Sequence, residues 1–231
     1  MRQRLFASGV WLGVVAFAGG CTLGAPWEEG DPRARIETTL GVFVIELSEA
    51  DAPLTVQNFR QYAEEGFYDD TLFHRVAPGF VIQGGGFLPG LEEKPTRDPI
   101  ANEGQNGLRN VRGSVAMART DDPDSATAQF FVNLVDNPAL DATLTSPGYA
   151  VFGHVIEGLD IVDAIGAVPT EDRDGFTDVP AEDVVILRAT IEPGVPVLTP
   201  AWETYLEDYR FSALSGVRDV FVSILSALIG G

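Results

Sequence analysis

The segment FHRVAPGFVIQGGG, Phe73–Gly86, places one arginine inside an apolar, strand-like run and follows it with a glutamine and three glycines. Period-two alternation predicts that Phe73, Arg75 and Ala77 share one face of this strand. A buried arginine is costly unless it is paired, so the pattern calls for an internal ion pair or a functional site. Gln83, with two donors and an acceptor, and the close backbone approach that the glycines permit both favour a functional site.

The composition is that of a folded and strongly acidic protein. The chain has 231 residues, of which 45% are apolar, and its formal net charge is −19. This length is enough for one good hydrophobic core. So negative a surface argues against a protein that binds nucleic-acid phosphates, which needs a basic face. It also argues against simple electrostatic attraction to anionic lipid.

The N-terminus has the layout of a secretory signal. Arg2 and Arg4 precede a mostly apolar run at 5–17, and the small residues at 18–20 lead into Cys21. The run is shorter than the roughly 20 residues that a spanning helix needs. Cys21 is the only cysteine, so neither a disulfide framework nor a cysteine-rich metal site is expected. Its position resembles a bacterial lipobox, which predicts lipidation of Cys21; ordinary signal cleavage and an uncleaved anchor are the alternatives.

Four segments are predicted along the chain. They are a signal peptide at 1–20, a lipidated and flexible tether at 21–33, a folded domain at 34–192, and a proline-rich linker with a C-terminal helix at 193–231. Apolar residues recur at helical spacing between 217 and 228, which predicts an amphipathic helix. This helix could pack on the domain, associate with a second copy or a partner, or lie on a membrane.

Within the predicted domain, the patterns indicate many short strands and two helices. Alternation predicts a β-hairpin over 35–47, and Pro53 and Gly66 bound the first helix. The second helix is predicted at 157–165. The core face of the first helix should consist of Val56, Phe59, Tyr62 and Ala63. The other predicted strands are 73–83, 115–118, 129–134, 150–155 and 184–191. This pattern predicts a mainly β fold, either a closed antiparallel barrel or a sandwich.

Four blocks of sequence together resemble one family. They are FHRVAPGFVIQGGG, NFRQYAEEGFYDDTLFHR at 58–75, GSVAMARTDDPDSATAQFFVNLVDN at 113–137, and YAVFGHV at 149–155. Their order and spacing resemble the bacterial cyclophilin-type peptidyl-prolyl cis–trans isomerases, over about residues 34–192. The resemblance implies a closed eight-stranded antiparallel barrel capped by two helices. It also implies an enzyme that accelerates rotation about X–Pro bonds.

The resemblance also implies a role for individual residues. Arg75 would be the catalytic residue, and Gln83 would hold Arg75 and the substrate backbone. The proline pocket would be lined by Phe80, Val81, Phe131, Leu140 and Tyr149. The substrate backbone before proline would contact Ala118 and Gln129. What Arg119 offers is left open, because eukaryotic relatives carry asparagine there. Structural roles are expected for Phe73, Phe130, Phe152, His74 and His154.

The expected partners are proline-containing polypeptides folding in the bacterial cell envelope or periplasm. The chemistry that the resemblance implies needs no cofactor and no metal, and the membrane would be reached through lipid at Cys21. The alternative function is a peptide-binding chaperone or scaffold with the same fold and no important catalysis. Intact Arg75, Gln83 and Phe131 favour the enzyme, because a scaffold could lose them freely. A third hypothesis gives the C-terminal helix the main role, as a docking element for a membrane assembly.

Overall fold

The computed structural model describes residues 27–28, 30–195 and 197–198 of the chain. Residues 31–194 form one compact unit. A second unit contains the two-residue strands Trp27–Glu28 and Val197–Leu198, which pair antiparallel. The predicted signal peptide, Cys21 and the C-terminal amphipathic helix lie outside the described residues. In the part of the chain that is described, no helix is both long and apolar enough to cross a membrane.

The described residues contain fifteen strands, two α-helices and one short 3-10 helix. The strands are β1 Trp27–Glu28, β2 Arg33–Thr38, β3 Gly41–Leu47, β4 Thr71–Leu72, β5 Arg75–Ala77, β6 Val81–Gly84, β7 Phe87–Leu88, β8 Glu92–Glu93, β9 Ser114–Met117, β10 Phe130–Asn133, β11 Val151–Glu157, β12 Thr170–Arg173, β13 Phe176–Pro180, β14 Val185–Glu192 and β15 Val197–Leu198. The helices are α1 Pro53–Glu64, α2 Leu159–Gly166 and the 3-10 helix Pro138–Leu140.

Nine of these strands form one sheet in the order β4-β14-β2-β3-β11-β9-β10-β6-β5, and every pair in it is antiparallel. The edge strands β4 and β5 are separated in the chain by only Phe73 and His74. Because two consecutive strands lie at opposite edges, the sheet must curl around its own core. The prediction of a mainly β, antiparallel fold with two helices is confirmed. The ladder counts nine strands, not eight, because residues 71–77 are divided into β4 and β5.

The predicted hairpin and the predicted second helix are both present. In the β2–β3 hairpin, alternate residues such as Ile36, Phe43 and Ile45 are fully buried, as period-two alternation requires. The second helix, α2, begins two residues later than predicted and buries Val162 and Ile165. Helix boundaries shift by this amount because the end turns of a helix are weakly determined by sequence.

Helix α1 begins at Pro53 and buries the predicted apolar face. The residues of that face are Val56, Phe59, Tyr62 and Ala63. Ala52 stands at the N-cap position and has no side-chain acceptor, so the first amides of the helix need another partner. The carboxylate of Glu103 supplies it, accepting from the Leu54 amide at 3.1 Å, the Thr55 amide at 2.8 Å and the Thr55 hydroxyl at 2.7 Å. A residue 48 positions away therefore caps α1.

Lys94 is the only lysine in the chain, all other basic residues being arginine. Its Nζ donates to the carbonyl of Phe67 at 2.6 Å and to that of Asp69 at 3.5 Å. The ammonium also lies 4.8 Å from the centre of the Phe67 ring. A compact cation with three donors suits two neighbouring backbone carbonyls, two residues apart, and an aromatic face. Lys94 thereby stabilises the turn that follows α1.

The prediction of one continuous strand over 73–83 is wrong. The chain forms β5, turns at Pro78–Phe80 and returns as β6, with the Phe80 amide donating to the Ala77 carbonyl at 3.0 Å. Gly79 takes a φ of 71°, which only glycine adopts without strain, so the turn follows from the Pro-Gly pair. The prediction that Phe73 and Arg75 share one face is also wrong. Residues 73–74 are irregular and break the alternation, so Phe73 lies in the main core.

The main core lies between the sheet and the two helices and is rich in aromatic rings. Phe59 of α1 is at its centre, with ring centroids 5.0–5.5 Å from those of Tyr68, Phe130 and Phe152. Phe73 lies against Phe130 at 6.0 Å. The prediction that Phe73, Phe130 and Phe152 are core residues is confirmed by their burial.

Candidate active site

Arg75 opens strand β5 and lies directly opposite Gln83 of β6. About a third of its side chain, 33%, is exposed, so the charge in this strand reaches solvent and not the apolar core. Its Nη2 lies 3.6 Å from Oδ2 of Asp178, and its guanidinium carbon lies 6.0 Å from the ring centre of Phe80. The sequence posed an ion pair and a functional site as alternatives. In the structure Arg75 has both features: it pairs with the carboxylate of Asp178, and it lines a pocket.

That pocket has a cavity volume of about 100 Å³. Its lining consists of Arg75, Phe80, Val81, Gln83, Ala118, Arg119, Phe131, Leu140 and Tyr149. Eight of the nine predicted catalytic and substrate-binding residues therefore meet at one place, and the ninth, Gln129, lies outside the lining. Pockets for drug-sized ligands are typically several hundred Å³. A cavity this small suits a single side chain of a longer ligand.

The apolar wall of the pocket is a cluster separate from the main core. Its buried members are Val81, Ala116, Phe131 and Val151. Strands β6 and β10 supply two of them by alternation, because Val81 and Phe131 point to the pocket while Ile82 and Val132 point to the main core. The Phe131 ring meets the Tyr149 ring edge-on at 5.6 Å. The same strands thus build the core on one face and the pocket on the other.

Gln83 is held by Gln129, and no hydrogen bond joins it to Arg75, the residue that it is predicted to hold. Nε2 of Gln83 donates to Oε1 of Gln129 at 2.9 Å. The Gln83 amide is therefore bonded to Gln129, and the ion-pair partner of Arg75 is Asp178. Gly86 makes room for Gln129, since a Cβ at residue 86 would lie 2.5 Å from Gln129 Cγ. The run of glycines after β6 is therefore needed for close approach.

Arg119, which the sequence left open, forms the far side of the pocket. Its guanidinium carbon lies 4.4 Å from the centre of the Tyr149 ring, a cation–π distance. Nε and Nη2 each donate to the Gly148 carbonyl at 3.3 Å, and Nη1 donates to the Thr120 carbonyl at 2.7 Å. Arg119 therefore fixes the backbone at Gly148 and the ring of Tyr149. Three of its five N–H groups are used, which leaves two for a ligand.

Asp178 is a residue of the site that sequence reasoning missed. It belongs to the β12–β13 hairpin, for which no element was predicted. Asp174-Gly175 between two short extended runs is a typical signal for a hairpin with a two-residue turn, and both residues have positive φ, 54° and 87°. That signal could have predicted the hairpin. It could not have shown that the hairpin lies against β5.

The two histidines occupy opposite environments. His74 is 4% exposed, and its Nδ1 has no hydrogen-bond partner in the described structure. Burial lowers the pKa of His74 to about 4, so the imidazole is neutral near pH 7. His154, for which a structural role is also predicted, lies on the exposed face of β11. Among the described residues, no group of three or more histidine, cysteine or acidic side chains is placed to hold a metal ion.

The family model for cyclophilin-type peptidyl-prolyl cis–trans isomerases matches residues 33–191. This chain belongs to that family. The cyclophilin match spans the sheet, both helices and every residue of the pocket. It begins and ends within a few residues of the compact unit 31–194.

Curated relatives and a solved structure agree with this assignment. A peptidyl-prolyl cis–trans isomerase of Streptomyces antibioticus is 54% identical over 159 residues, covering 68% of this chain and 96% of the relative. Peptidyl-prolyl cis–trans isomerase B of Escherichia coli is 52% identical over 157 residues, covering 67% and 96%. A Cryptosporidium parvum cyclophilin-type isomerase, crystallised in the presence of the dipeptide Ala-Pro, superimposes with a TM-score of 0.61 at 26% identity and covers 69% of this chain and 98% of its own.

Proposed function

We propose that this cyclophilin is a peptidyl-prolyl cis–trans isomerase that acts through Arg75 on X–Pro bonds of polypeptides. The observation that carries the proposal is the guanidinium of Arg75 on the lining of a small pocket whose wall is apolar. A cavity of this size with an apolar wall accepts the proline ring, and the arginine then lies beside the peptide bond that precedes the ring. The Ala-Pro dipeptide in the Cryptosporidium parvum crystals and the names of the bacterial relatives support this assignment.

The chemistry requires hydrogen-bond donation and no covalent step. The barrier to X–Pro rotation is roughly 20 kcal/mol and comes mostly from amide conjugation. Rotation removes that conjugation and returns a lone pair to the prolyl nitrogen. Arg75 donates a hydrogen bond to that nitrogen and so stabilises the twisted state over either planar state. Gln83, Gln129 and Ala118 hold the substrate backbone, and Phe131 and Leu140 pack on the ring.

The test compares the purified chain with Arg75→Ala and with Arg188→Ala in the cis-to-trans isomerisation of an X–Pro peptide. Arg188 is an exposed arginine of β14 and is the matched control. Losing a group that stabilises only the transition state typically lowers kcat on the order of 100- to 1000-fold. We expect that loss for Arg75→Ala and none for Arg188→Ala. If the parent is inactive on varied X–Pro peptides while it still binds them, the second candidate, a peptide-binding chaperone or scaffold, replaces the enzyme.

We also propose that residues 71–77 act as one bent strand, so that the nine strands of the sheet form a closed barrel of eight. Two observations support closure. The edge strands β4 and β5 are separated in the chain by only two residues. The Gly85 amide, just after β6, donates to the Leu72 carbonyl of β4 at 3.2 Å, which links one edge strand to the strand beside the other edge.

We propose further that the protein is exported and anchored in the bacterial cell envelope by lipid on Cys21. The support is the signal-like layout of residues 1–20 and the single cysteine that follows it. Growth of expressing bacteria with a labelled fatty acid should label the parent chain and leave Cys21→Ser unlabelled. Equal labelling, or none in either, would contradict the anchor. The C-terminal helix and its three alternative roles stay predictions, because the segment 193–231 is described only at its start.

A further inference from the structure

Arg75 has one ion-pair partner in the described structure, and it comes from outside the nine-stranded sheet. Oδ2 of Asp178 lies 3.6 Å from Nη2 of Arg75. The residue directly opposite in the sheet, Gln83, is instead bonded to Gln129. Arg119, the other arginine of the pocket, makes no ion pair among the described residues and is held by backbone carbonyls. The guanidinium that faces the proline bond is thus restrained by a carboxylate and by nothing else that is charged.

The hairpin that carries Asp178 is anchored independently of any substrate. Phe176 of β13 meets the Phe87 ring edge-on at 5.2 Å, and Phe87 in turn lies 4.6 Å from the ring of His74, the residue before Arg75. Val179 is 1% exposed in a small apolar cluster with Leu72. Apolar packing on both sides of Asp178 therefore fixes its backbone against β5.

The backbone at Asp178 adopts a conformation that few residues accept. Its φ is 59°, in the left-handed region, although it lies within strand β13. Aspartate and asparagine tolerate this region better than other residues that carry a Cβ. Asparagine is therefore a substitution at 178 that keeps the backbone and the side-chain shape and removes only the charge.

We propose that Asp178 is a positioning residue for Arg75. Its carboxylate holds one terminal nitrogen of the guanidinium toward the hairpin, so that the remaining N–H groups face the pocket. An arginine side chain without such a partner samples many rotamers, and each turnover must then select the productive one. The inference rests on the proposed isomerase function, since it assigns Asp178 a role only through Arg75.

The experiment measures kcat and KM for an X–Pro peptide with the full chain, Asp178→Asn and Asp174→Asn. Asp174 is the matched control because it lies in the same hairpin, has a positive φ of 54° and undergoes the same loss of charge. A partly exposed ion pair contributes modestly, so we expect kcat to fall roughly two- to fivefold in Asp178→Asn, with KM unchanged. Asp174→Asn should match the parent. A parent-like kcat in Asp178→Asn, or an equal loss in the two variants, would overturn the proposal.

A double variant separates positioning from a direct effect of the charge on the substrate. In the Arg75→Ala background, Asp178→Asn should cause no further loss, because the residue that it positions is absent. A loss of the same size in both backgrounds would show that Asp178 acts without Arg75. An inactive parent would instead defeat the proposed function, which keeps the two failures distinct.

An NMR measurement on the parent chain tests the same proposal and does not depend on whether the Asp178 variants fold. In the parent chain, the NMR order parameter of the Arg75 Nε–H group should be well above that of Arg188, an exposed arginine of β14. An Arg75 value as low as that of Arg188 would contradict a held guanidinium.

Discussion

His74 and Arg75 are neighbours in the chain but lie in opposite environments. Arg75 opens to the pocket, whereas His74 is buried against Phe87 with its Nδ1 unpartnered. Burial disfavours the charged imidazole, which is why the pKa of His74 falls from 6.5 to about 4. Of these two neighbouring side chains, one therefore lines the pocket and the other stays neutral and packs inside the fold.

The shifted pKa of His74 predicts a loss of stability in acid. The unfolded chain takes up a proton below about pH 6.5, whereas the folded chain resists protonation until about pH 4. The neutral imidazole therefore contributes stability above pH 6.5 that is lost as the pH falls toward 4. The difference amounts to about 3 kcal/mol of unfolding free energy. Denaturant unfolding between pH 7 and 4 should show this decline in the parent and a shallower one in His74→Gln.

Other acidic groups titrate in the lower part of the same range, so only the difference between parent and variant isolates His74. His154→Gln, on the exposed face of β11, controls for the loss of an imidazole in general. Parallel pH profiles for the parent and His74→Gln would refute the prediction.

Single residues of the site could be predicted to different degrees. The arginine in an apolar run stands out by its type, and the family resemblance then assigns its neighbours. The predicted partner of Gln83 differs from the observed one because an amide can reach several groups, and only the fold shows that its hydrogen bond goes to Gln129. Asp178 carries no local signal at all. Its role depends on a contact across 103 residues that no pattern near it encodes.

Helix α1 depends on a partner that lies far away in sequence. Glu103 accepts hydrogen bonds from two backbone amides and one hydroxyl at the first turn, whereas the N-cap residue Ala52 has no side-chain acceptor. A negative carboxylate at this end also interacts favourably with the helix dipole. Glu49 and Asp51 are the acidic residues closest to this end of the helix along the chain. Hydrogen-bond geometry, and not proximity along the chain, selected Glu103.

Removing this cap should destabilise the whole domain, because α1 buries Phe59 at the centre of the aromatic core. We expect Glu103→Ala to lower the unfolding free energy by about 0.5–2 kcal/mol, the usual range for the loss of a helix cap. Glu93→Ala, an exposed glutamate of β8, is the control and should be close to neutral. Thermal or denaturant unfolding followed by circular dichroism measures both. Equal stabilities of the two variants would contradict a capping role.

Elements with a clear period were predictable, and short elements were not. The β2–β3 hairpin and α1 each repeat their pattern over enough residues to mark a buried face. In contrast, β5 has three residues and β7 has two, which is too few for a period to be read. Such strands exist because tertiary contacts hold them. The turn between β5 and β6 is not predicted, because apolar residues on both sides of Pro78-Gly79 extend the strand-like pattern across it.

At the scale of the molecule, the site is assembled from segments that only the complete fold brings together. Its lining runs from Arg75 to Tyr149 along the chain, across three strands and several loops. Composition and periodicity reached a mainly β fold and stopped there. The resemblance of four sequence blocks indicates the family and the pocket lining. The irregular break at residues 73–74 and the packing of the β12–β13 hairpin against β5 are visible only in the structure.

The single lysine has a practical consequence for studies of this protein and its clients. Amine-reactive cross-linkers join two primary amines, and beyond the chain's own α-amino group this polypeptide offers only Lys94. A Lys94–Lys94 cross-link can therefore arise only between two molecules, which makes it an unambiguous report of self-association. Every cross-link between a lysine of this protein and a captured client must start from Lys94. Carboxylate-directed reagents, by contrast, have 34 acidic side chains to choose from.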